Sequence, residues 1–150
     1  MDTSKAINFH NMCLGCSNLE LVPEIDLTAY ATSNVTVTSL NIFYNCSSLT
    51  TIEKIIVPEC NWSAVTSFFN EALVSSLENV TLKANVKLDC DWSKLSQCPN
   101  LTVDSLMSFI NAFQDNINYT QYTLTIGATN LAKLTEDQIL IATNKNILLA

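Results

Sequence analysis

The sequence contains no arginine, and its seven basic residues are all lysines against 14 acidic residues, which gives a net charge of −7. Proteins that bind nucleic acids neutralise phosphates with clustered Lys and Arg and read bases chiefly with Arg. The composition therefore excludes nucleic acid from the expected partners. No stretch approaches the ~18 consecutive apolar residues of a membrane-spanning helix, so no membrane span is expected either.

Glycine and proline are also scarce, with two and three residues in 150. Two glycines cannot build the glycine-rich loops that hold nucleotide phosphates. Turns are expected to be made by Asn, Asp, Ser and Thr, whose side chains hydrogen-bond to nearby backbone groups. The single histidine, His10, has no identifiable Ser or Cys partner for nucleophilic catalysis and is expected on a helix face.

The first ten residues, MDTSKAINFH, are polar and lack the apolar core of a secretory signal peptide. Either the protein is not exported, or the sequence is part of a longer chain. An extracellular or cell-surface location requires a longer exported chain. At this length, one domain with a substantial core is expected.

A short pattern, Cys or Val followed three residues later by Leu, recurs along the chain. Its leucines, at intervals of roughly 24–30 residues, are Leu19, Leu49, Leu77 and Leu101. A second pattern places a serine two residues before an apolar residue. Its serines, at intervals of about 30 residues, are Ser4, Ser33, Ser63 and Ser93. Two patterns that share a period indicate stacked units, and recurring Leu with Cys or Asn is typical of leucine-rich repeats.

These patterns predict an α/β fold, a leucine-rich-repeat solenoid with parallel strands on one side and short helices or turns on the other. Residues 1–150 are expected to form a single domain. About four coils of roughly 24–30 residues each are assigned to residues 1–101. The last coils and a helical C-terminal cap are assigned to residues 102–150. One sheet is expected to contain, in order, the segments near Leu19, Leu49, Leu77 and Leu124.

Two regions carry signals for helices. Ser63 is a suitable N-cap for residues 65–73, whose apolar side chains recur at helical spacing. Thr102 is a suitable N-cap for a helix over 103–115. Both helices would present one apolar face to a core.

The end of the chain carries further local signals. Residues 122–131 read as a strand followed by a turn. Thr135 and Gln138 form a capping box at the start of a second C-terminal helix. Asn146 suits the left-handed backbone position after that helix.

The segments MDTSKAINFHNMCLGCSNLELVP and YATSNVTVTSLNIFYNCSSLTTI resemble the BspA-like leucine-rich repeats of bacterial surface proteins. Those repeats read roughly D-T-S-x-V-T-x-M-x-x-M-F-x-x-C-S-S-L-T-x-I-P. In the first segment the matching residues are Asp2, Thr3, Ser4, Met12, Cys16, Ser17, Leu19 and Pro23. In the second they are Thr32, Ser33, Val35, Thr36, Phe43, Cys46, Ser47, Ser48, Leu49, Thr50 and Ile52. The close resemblance covers about the first third of the chain, and residues 60–101 are degenerate.

The resemblance implies a non-catalytic solenoid that binds a protein or glycan ligand at a bacterial cell surface. The C-terminal part resembles the ending common in gut-bacterial repeat proteins of this type and in some phage-encoded ones. A virion or tail-associated structural or receptor-binding protein is therefore the alternative, and an enzyme is the third interpretation. No binding residue is carried over from the family.

Six cysteines lie at positions 13, 16, 46, 60, 90 and 98. The C-x-x-C of Cys13 and Cys16 alone suggests metal or redox chemistry, but a zinc site needs a second pair of ligands. Cys16, Cys46 and Cys98 follow the repeat instead, and Val74 fills the matching position of the third coil. A buried free thiol behaves as a small apolar side chain. These three cysteines are therefore predicted to be buried and reduced, with a zinc site or a disulfide framework as the alternative.

Three pairs of carboxylates lie close together in the sequence. They are Glu24 with Asp26, Asp89 with Asp91, and Glu136 with Asp137. No Arg or His accompanies them, so solvated turn residues or charges in the first turn of a helix are the better interpretation. No catalytic, cofactor-binding or metal-binding residue is predicted.

Two sets of apolar residues are candidates for an interaction surface. Trp62 and Trp92 occupy matching positions of successive coils, and would either form an exposed aromatic ladder or pack together at the edge of the coils. The first coil enters the repeat pattern directly, which would leave one of its faces open. Another chain or further repeats are expected to cover that face. Its predicted lining is Ala6, Ile7, Phe9, Met12 and Leu14.

Overall fold

The structure is a computed structural model that describes residues 11–26, 42–56, 75–83, 91, 94–115, 117–118 and 120–150. The strands are β1 (Leu21–Asp26), β2 (Thr51–Ile56), β3 (Asn79–Lys83), β4 (Tyr122–Leu124) and β5 (Ile147–Leu149). A 3₁₀ helix spans Lys94–Gln97, and the α-helices are α1 (Val103–Ala112), α2 (Ala128–Leu131) and α3 (Glu136–Asn144). The chain is thus a mixed α/β protein. The helix predicted over 65–73 lies outside the described residues.

The strands β1, β2 and β3 form one parallel sheet in that order. Their first residues pair across the sheet, Leu21 with Thr51 and Thr51 with Asn79. The leucines of the repeat pattern have the same spacing as these paired residues, because each leucine lies two residues before its strand. The prediction that these three segments are neighbours in order in a parallel sheet is confirmed.

The Cys-x-x-Leu pattern closes a turn immediately before β1, β2 and α1. In each copy the leucine N–H donates to the cysteine carbonyl oxygen, in the pairs Leu19–Cys16 (3.0 Å), Leu49–Cys46 (3.1 Å) and Leu101–Cys98 (3.3 Å). In the second and third pairs both side chains are completely buried, while the residues between them are partly or fully exposed. The pattern therefore supplies two core side chains and the polar turn that joins them.

One apolar cluster connects the turns, the inner face of the sheet and α1. Its largest fully buried side chains are Phe43, Phe109, Phe113, Ile42, Leu49 and Ile52. The register between β2 and β3 shifts within the strands: Ile52 pairs with Val80 and Ile55 with Leu82. The buried residues are therefore three apart in β2 and two apart in β3, which identifies an extra residue, or bulge, in β2.

Helix α1 lies where a fourth strand would follow β3. The N–H of Thr102 donates to Glu78 O at 2.8 Å, as the N–H of Glu78 donates to Thr50 O at 2.9 Å one segment earlier. From this point the chain turns into α1, and Thr102 acts as its N-cap by accepting a hydrogen bond from Ser105 N. The predicted N-cap is confirmed, although the helix ends at Ala112 rather than at residue 115.

Two serines of α1 provide hydrogen-bond partners for backbone groups at the outer edge of β3. Ser105 Oγ accepts from Val80 N at 2.9 Å and lies 3.1 Å from Glu78 O. One turn later, Ser108 Oγ accepts from Leu82 N and lies 3.1 Å from Val80 O. The two hydroxyls thus replace the N–H and C=O groups that a neighbouring strand would have offered.

The strand that contains Leu124 does not join the three-stranded sheet. β4 pairs in parallel with β5, Tyr122 opposite Ile147, in a separate two-stranded sheet. The expectation of one sheet through Leu124 was therefore wrong. The physical reason is that α1 already occupies the edge of β3 at which another strand would pair.

The C-terminal region contains the predicted caps. The Thr135 hydroxyl accepts from Gln138 N, and the Gln138 side chain accepts from Thr135 N, so the capping box of α3 is confirmed. Asn146 has a φ of 58°, as expected for the left-handed position after a helix. Lys145 Nζ donates to Phe113 O near the end of α1, which joins the two helices.

A buried amide connects this region to the last Cys-x-x-Leu turn. Asn130 is completely buried, and its side chain donates to Cys98 O and Ile126 O, each at 3.0 Å. Lys133 Nζ donates to Leu101 O at 2.7 Å and to Asn130 Oδ1 at 3.0 Å. These bonds satisfy carbonyl groups at the turn before α1 and fix the C-terminal region against it.

Candidate interaction surface

The strand β1 has an open edge, since within the described part of the chain it pairs with β2 alone. The N–H of Thr51 donates to Glu20 O at 3.2 Å, which directs this carbonyl towards β2. Peptide groups of successive residues point to opposite edges of a strand, so the nitrogens of Leu21 and Pro23 face away from β2. Pro23 has no N–H, which removes one donor from the open edge, as is common in edge strands.

An apolar groove of about 160 Å³ lies beside this edge. It is lined by Met12, Cys13, Leu19, Leu21, Val22, Pro23, Glu24 and Ile25. The one charged residue of the lining, Glu24, is engaged in an ion pair with Lys54, with 2.5 Å between Oε2 and Nζ. Met12, Leu14 and Leu21 are 37, 48 and 49 % exposed. These three residues together with the groove are called the N-terminal apolar surface below.

The structure describes only part of the predicted interaction residues. Met12 and Leu14 are exposed and belong to the N-terminal apolar surface. The remaining candidates, namely Ala6, Ile7, Phe9, Trp62 and Trp92, lie outside the described residues. Sequence reasoning missed Leu21. Its signal was available, because Val22 faces the core and the preceding residue of a strand faces the opposite side.

Three thiols lie close together next to this surface. The N–H of Cys16 donates to Cys13 O at 3.2 Å across a turn in which Gly15 has a φ of 74°. The thiol of Cys46, from the next segment, donates to the same carbonyl oxygen at 3.0 Å. Burial raises the pKa of Cys46 to about 11, although the N–H of Cys16 acts in the opposite direction. Burial also raises the pKa of Cys13, with a smaller contribution from neighbouring Cys16.

The burial predicted for the repeat cysteines is right for two of them. Cys46 and Cys98 are free and completely buried, and burial raises the pKa of Cys98 to about 12. Cys16 is also free but exposed, so its predicted burial was wrong. The reason is positional: Cys46 packs under the segment of Cys13, whereas no described segment covers Cys16 in the same way. Cys60 and Cys90 lie outside the described residues.

The acidic pairs do not form a common site among the described residues. Glu24 pairs with Lys54, as stated above, and Asp91 Oδ1 accepts a hydrogen bond from Thr123 N at 2.7 Å. Glu136 and Asp137 lie in the first turn of α3, where the helix dipole favours negative charge. In the described ranges, no three His, Cys, Asp or Glu side chains are arranged to hold a metal ion.

Searches for related proteins add no family to these observations. No protein-family model, curated protein or solved structure matches the chain. Among the described residues, no helix is long and apolar enough to cross a bilayer. The features that bear on function are therefore the N-terminal apolar surface and the thiols beside it.

Proposed function

We propose that this protein is a non-catalytic leucine-rich-repeat solenoid of the BspA-like type, which binds a protein ligand at a bacterial cell surface. The parallel strands, which follow one another at the period of the repeat, support stacked units. The observation that carries the proposed binding role is the N-terminal apolar surface, which lies beside the open edge of β1. An apolar groove next to a strand edge that no other described strand covers is suited to an extended polypeptide segment.

The composition of the groove favours a protein over a glycan ligand. Its lining is apolar except for Glu24, whose carboxylate is engaged by Lys54. Sugar hydroxyl groups that lose water need hydrogen-bond partners, and an apolar lining offers almost none. Apolar side chains of a protein would instead gain free energy on entering the groove.

The contacts between the first two segments indicate what kind of protein segment fits. The Cys46 thiol donates to Cys13 O, and Thr50 N donates to Glu20 O. One repeat unit earlier, the equivalent donors are the Cys16 thiol and the N–H of Glu20, and both belong to the open side of the first segment. A partner that fits this surface would present carbonyl groups to these donors and apolar side chains to the groove. The first repeat unit presents the same groups to the second.

In a head-to-tail dimer, the side of β3 that faces away from β2 would have to pack on β1 of the next copy. A second copy of the chain does not offer a free repeat unit there. The corresponding side of the last strand, β3, is occupied by α1 through Ser105 and Ser108. The proposed partner is therefore a different protein chain that carries a repeat unit of the same type. Its unit would pack on β1 in the way that β1 packs on β2.

The proposal can be tested by adding one more repeat unit to the chain, so that it packs on the N-terminal apolar surface. We would insert a second copy of residues 1–30 before Met1, because Leu21 of β1 pairs with Thr51 of β2 and this segment is therefore one full repeat. The added unit should lower the exposure of Met12, Leu14 and Leu21 and raise the free energy of unfolding by about 2 kcal/mol. Urea unfolding monitored by circular dichroism measures the difference from the original chain.

Two substitutions provide the control for this experiment. Leu21→Glu in the original unit should abolish the gain, whereas Leu148→Glu on β5 should leave it intact. Both leucines are 49 % exposed in the original chain. An added unit that is rapidly digested by protease and contributes no stability would contradict the proposal. A wild-type dimer in sedimentation that Leu21→Glu converts to a monomer would identify a second copy as the occupant and would refute the proposed partner.

A further inference from the structure

We propose that Cys13 and Cys16 form a thiol–disulfide exchange site that reacts with low-molecular-weight disulfides such as oxidised glutathione. Cys16 is the attacking thiol, and Cys13 is the resolving thiol. The proposal rests on the turn that contains both residues and on their different exposure. It does not depend on the proposed binding function.

The turn brings the two cysteines into disulfide range. Cys13 and Cys16 are its first and last residues, and the hydrogen bond from Cys16 N to Cys13 O closes it. The Cα atoms at the ends of a β-turn are less than about 7 Å apart, and a disulfide needs roughly 4.4–6.8 Å. Gly15 provides the positive φ of the turn, and no atom of the described residues lies within 4 Å of the position that a Cβ would take there. This side of the turn is open to a reagent.

Exposure distinguishes Cys16 from the other described thiols. Cys16 is exposed, Cys13 is half-buried, and Cys46 and Cys98 are completely buried. Burial raises the pKa values of the last three, so each of them forms less thiolate near neutral pH. The thiolate is the attacking species and must reach the external sulfur. Cys16 is thus the described cysteine best placed to react first.

The reaction consists of two balanced exchanges. The Cys16 thiolate attacks one sulfur of the external disulfide, whose S–S bond breaks, so that a mixed disulfide forms and one small thiolate leaves. The Cys13 thiolate then attacks Cys16 Sγ, forms the protein disulfide and releases the second small thiolate. The two protein thiols lose two electrons and two protons, and the external disulfide becomes two thiols.

Cys46 is expected to remain reduced in this reaction. Its thiol hydrogen-bonds to Cys13 O, and the side chain has no exposed surface. A disulfide between Cys46 and Cys13 would require the buried thiol to leave this hydrogen bond. The open turn offers Cys13 a more accessible partner in Cys16, which is exposed whereas Cys46 is completely buried.

The test uses the reduced full-length protein incubated with oxidised glutathione, followed by alkylation and peptide mapping by mass spectrometry. The expected product is a Cys13–Cys16 disulfide with release of two glutathione molecules per chain. Cys16 should be consumed roughly ten-fold or more faster than Cys46 and Cys98. Slower consumption of Cys16 than of either buried thiol would overturn the proposal.

Three variants separate the roles of the thiols. Cys13→Ser should stop at a mixed disulfide on Cys16, and Cys16→Ser should leave Cys13 reduced. Cys46→Val is the matched control, because Val74 occupies the equivalent position of the repeat, and it should still form the Cys13–Cys16 bond. A disulfide from Cys13 to Cys46, or no release of the second glutathione from the wild-type chain, would overturn the proposal even if one variant failed to fold.

Discussion

The two outer edges of the three-stranded sheet differ in whether another described element covers them. At β3, the hydroxyl groups of Ser105 and Ser108 bond to the strand backbone, and α1 covers the apolar side chains. At β1, Leu21 is half exposed, an apolar groove lies open, and no described element pairs with the strand on that side. The same kind of parallel edge is therefore closed at one end of the sheet and open at the other.

This difference shows how the segment after the last strand can end a repeat array. β3 pairs in parallel with β2, as β2 does with β1, although with a register shift, and its outer edge is closed by the helix that follows it. A helix that carries serines three residues apart offers a hydroxyl at successive hydrogen-bonding positions of the strand. An uncovered edge lacks this protection and remains available to another chain.

The largest expected effect comes from opening the closed edge. Ser105→Ala with Ser108→Ala would leave the N–H groups of Val80 and Leu82 without their hydroxyl partners under α1. Unpaired buried groups cost about 1–3 kcal/mol each, so the double variant should lose roughly 3 kcal/mol of unfolding free energy. Urea unfolding followed by far-UV circular dichroism would measure the loss.

The control for this variant is Asn111→Ala, because Asn111 lies on the exposed side of the same helix. It should change the unfolding free energy by less than about 0.5 kcal/mol. A double serine variant as stable as the control would show that the hydroxyls are not needed to close the edge. Increased self-association of the double variant in light scattering would further support the closure.

An intermediate effect is expected from two glycines that both have a positive φ. Gly15, near the open end, and Gly127, in the C-terminal region, have φ values of 74° and 81°. Within the described part of the chain, a Cβ at Gly15 would meet no atom within 4 Å, whereas a Cβ at Gly127 would lie 3.1 Å from Ser96 Cβ and 3.2 Å from its Cα. Gly15→Ala should therefore cost about 1 kcal/mol for backbone strain alone, and Gly127→Ala about 2–3 kcal/mol.

Thermal and urea unfolding of the two alanine variants in parallel would measure this difference. The larger loss at Gly127 has two causes, the close approach of Ser96 and a ψ of 155°, which with a positive φ suits only glycine. Equal losses would mean that the C-terminal turn is as loosely packed as the N-terminal one. That result would break the contrast between the two ends.

The smallest effect concerns pH and the buried thiols. The folded-state pKa values of about 11 for Cys46 and about 12 for Cys98 lie above the ordinary value of 9.0. Above about pH 9 the unfolded chain releases protons that the folded chain retains, so stability is fully present below pH 9 and falls as pH rises. Between about pH 9 and pH 10 each thiol should account for a loss of about 1 kcal/mol.

A variant with valine at both positions should lose about 2 kcal/mol less over the same pH interval, since valine does not titrate. Unfolding in urea at the two pH values, for both proteins, gives the comparison. All other side chains are the same in both proteins, so their contributions cancel in the difference. Parallel pH dependence of wild type and variant would refute the assignment to the buried thiols.

Features set by neighbouring residues could be predicted from the sequence. The N-caps at Thr102 and Thr135 and the left-handed Asn146 depend on side chains within three or four positions of the helix ends. The order of the first three strands followed from the spacing of the repeat. These features require no knowledge of distant packing partners.

Features that depend on a distant segment could not be predicted in the same way. Ser105 and Ser108 look like ordinary helix residues until β3, about 25 residues earlier, is placed beside them. The exposure of Cys16 depends on whether another segment covers it, which the repeat pattern does not reveal. The pairing of β4 with β5 likewise follows from the position of α1 at the edge of the sheet.

The side-chain hydrogen bonds between segments join residues at similar separations in the sequence, which has a consequence for folding kinetics. Side-chain hydrogen bonds between segments, such as Thr102 to Asn79 and Asn130 to Leu95, join residues 23 to 35 positions apart. Each therefore closes a loop of similar length and similar entropic cost. Structure can then spread from a nucleus to the adjacent segment. Since the helices with side-chain caps among the described residues are α1 and α3, the nucleus is expected there, and during synthesis the preceding strands would become stable only after these helices had left the ribosome.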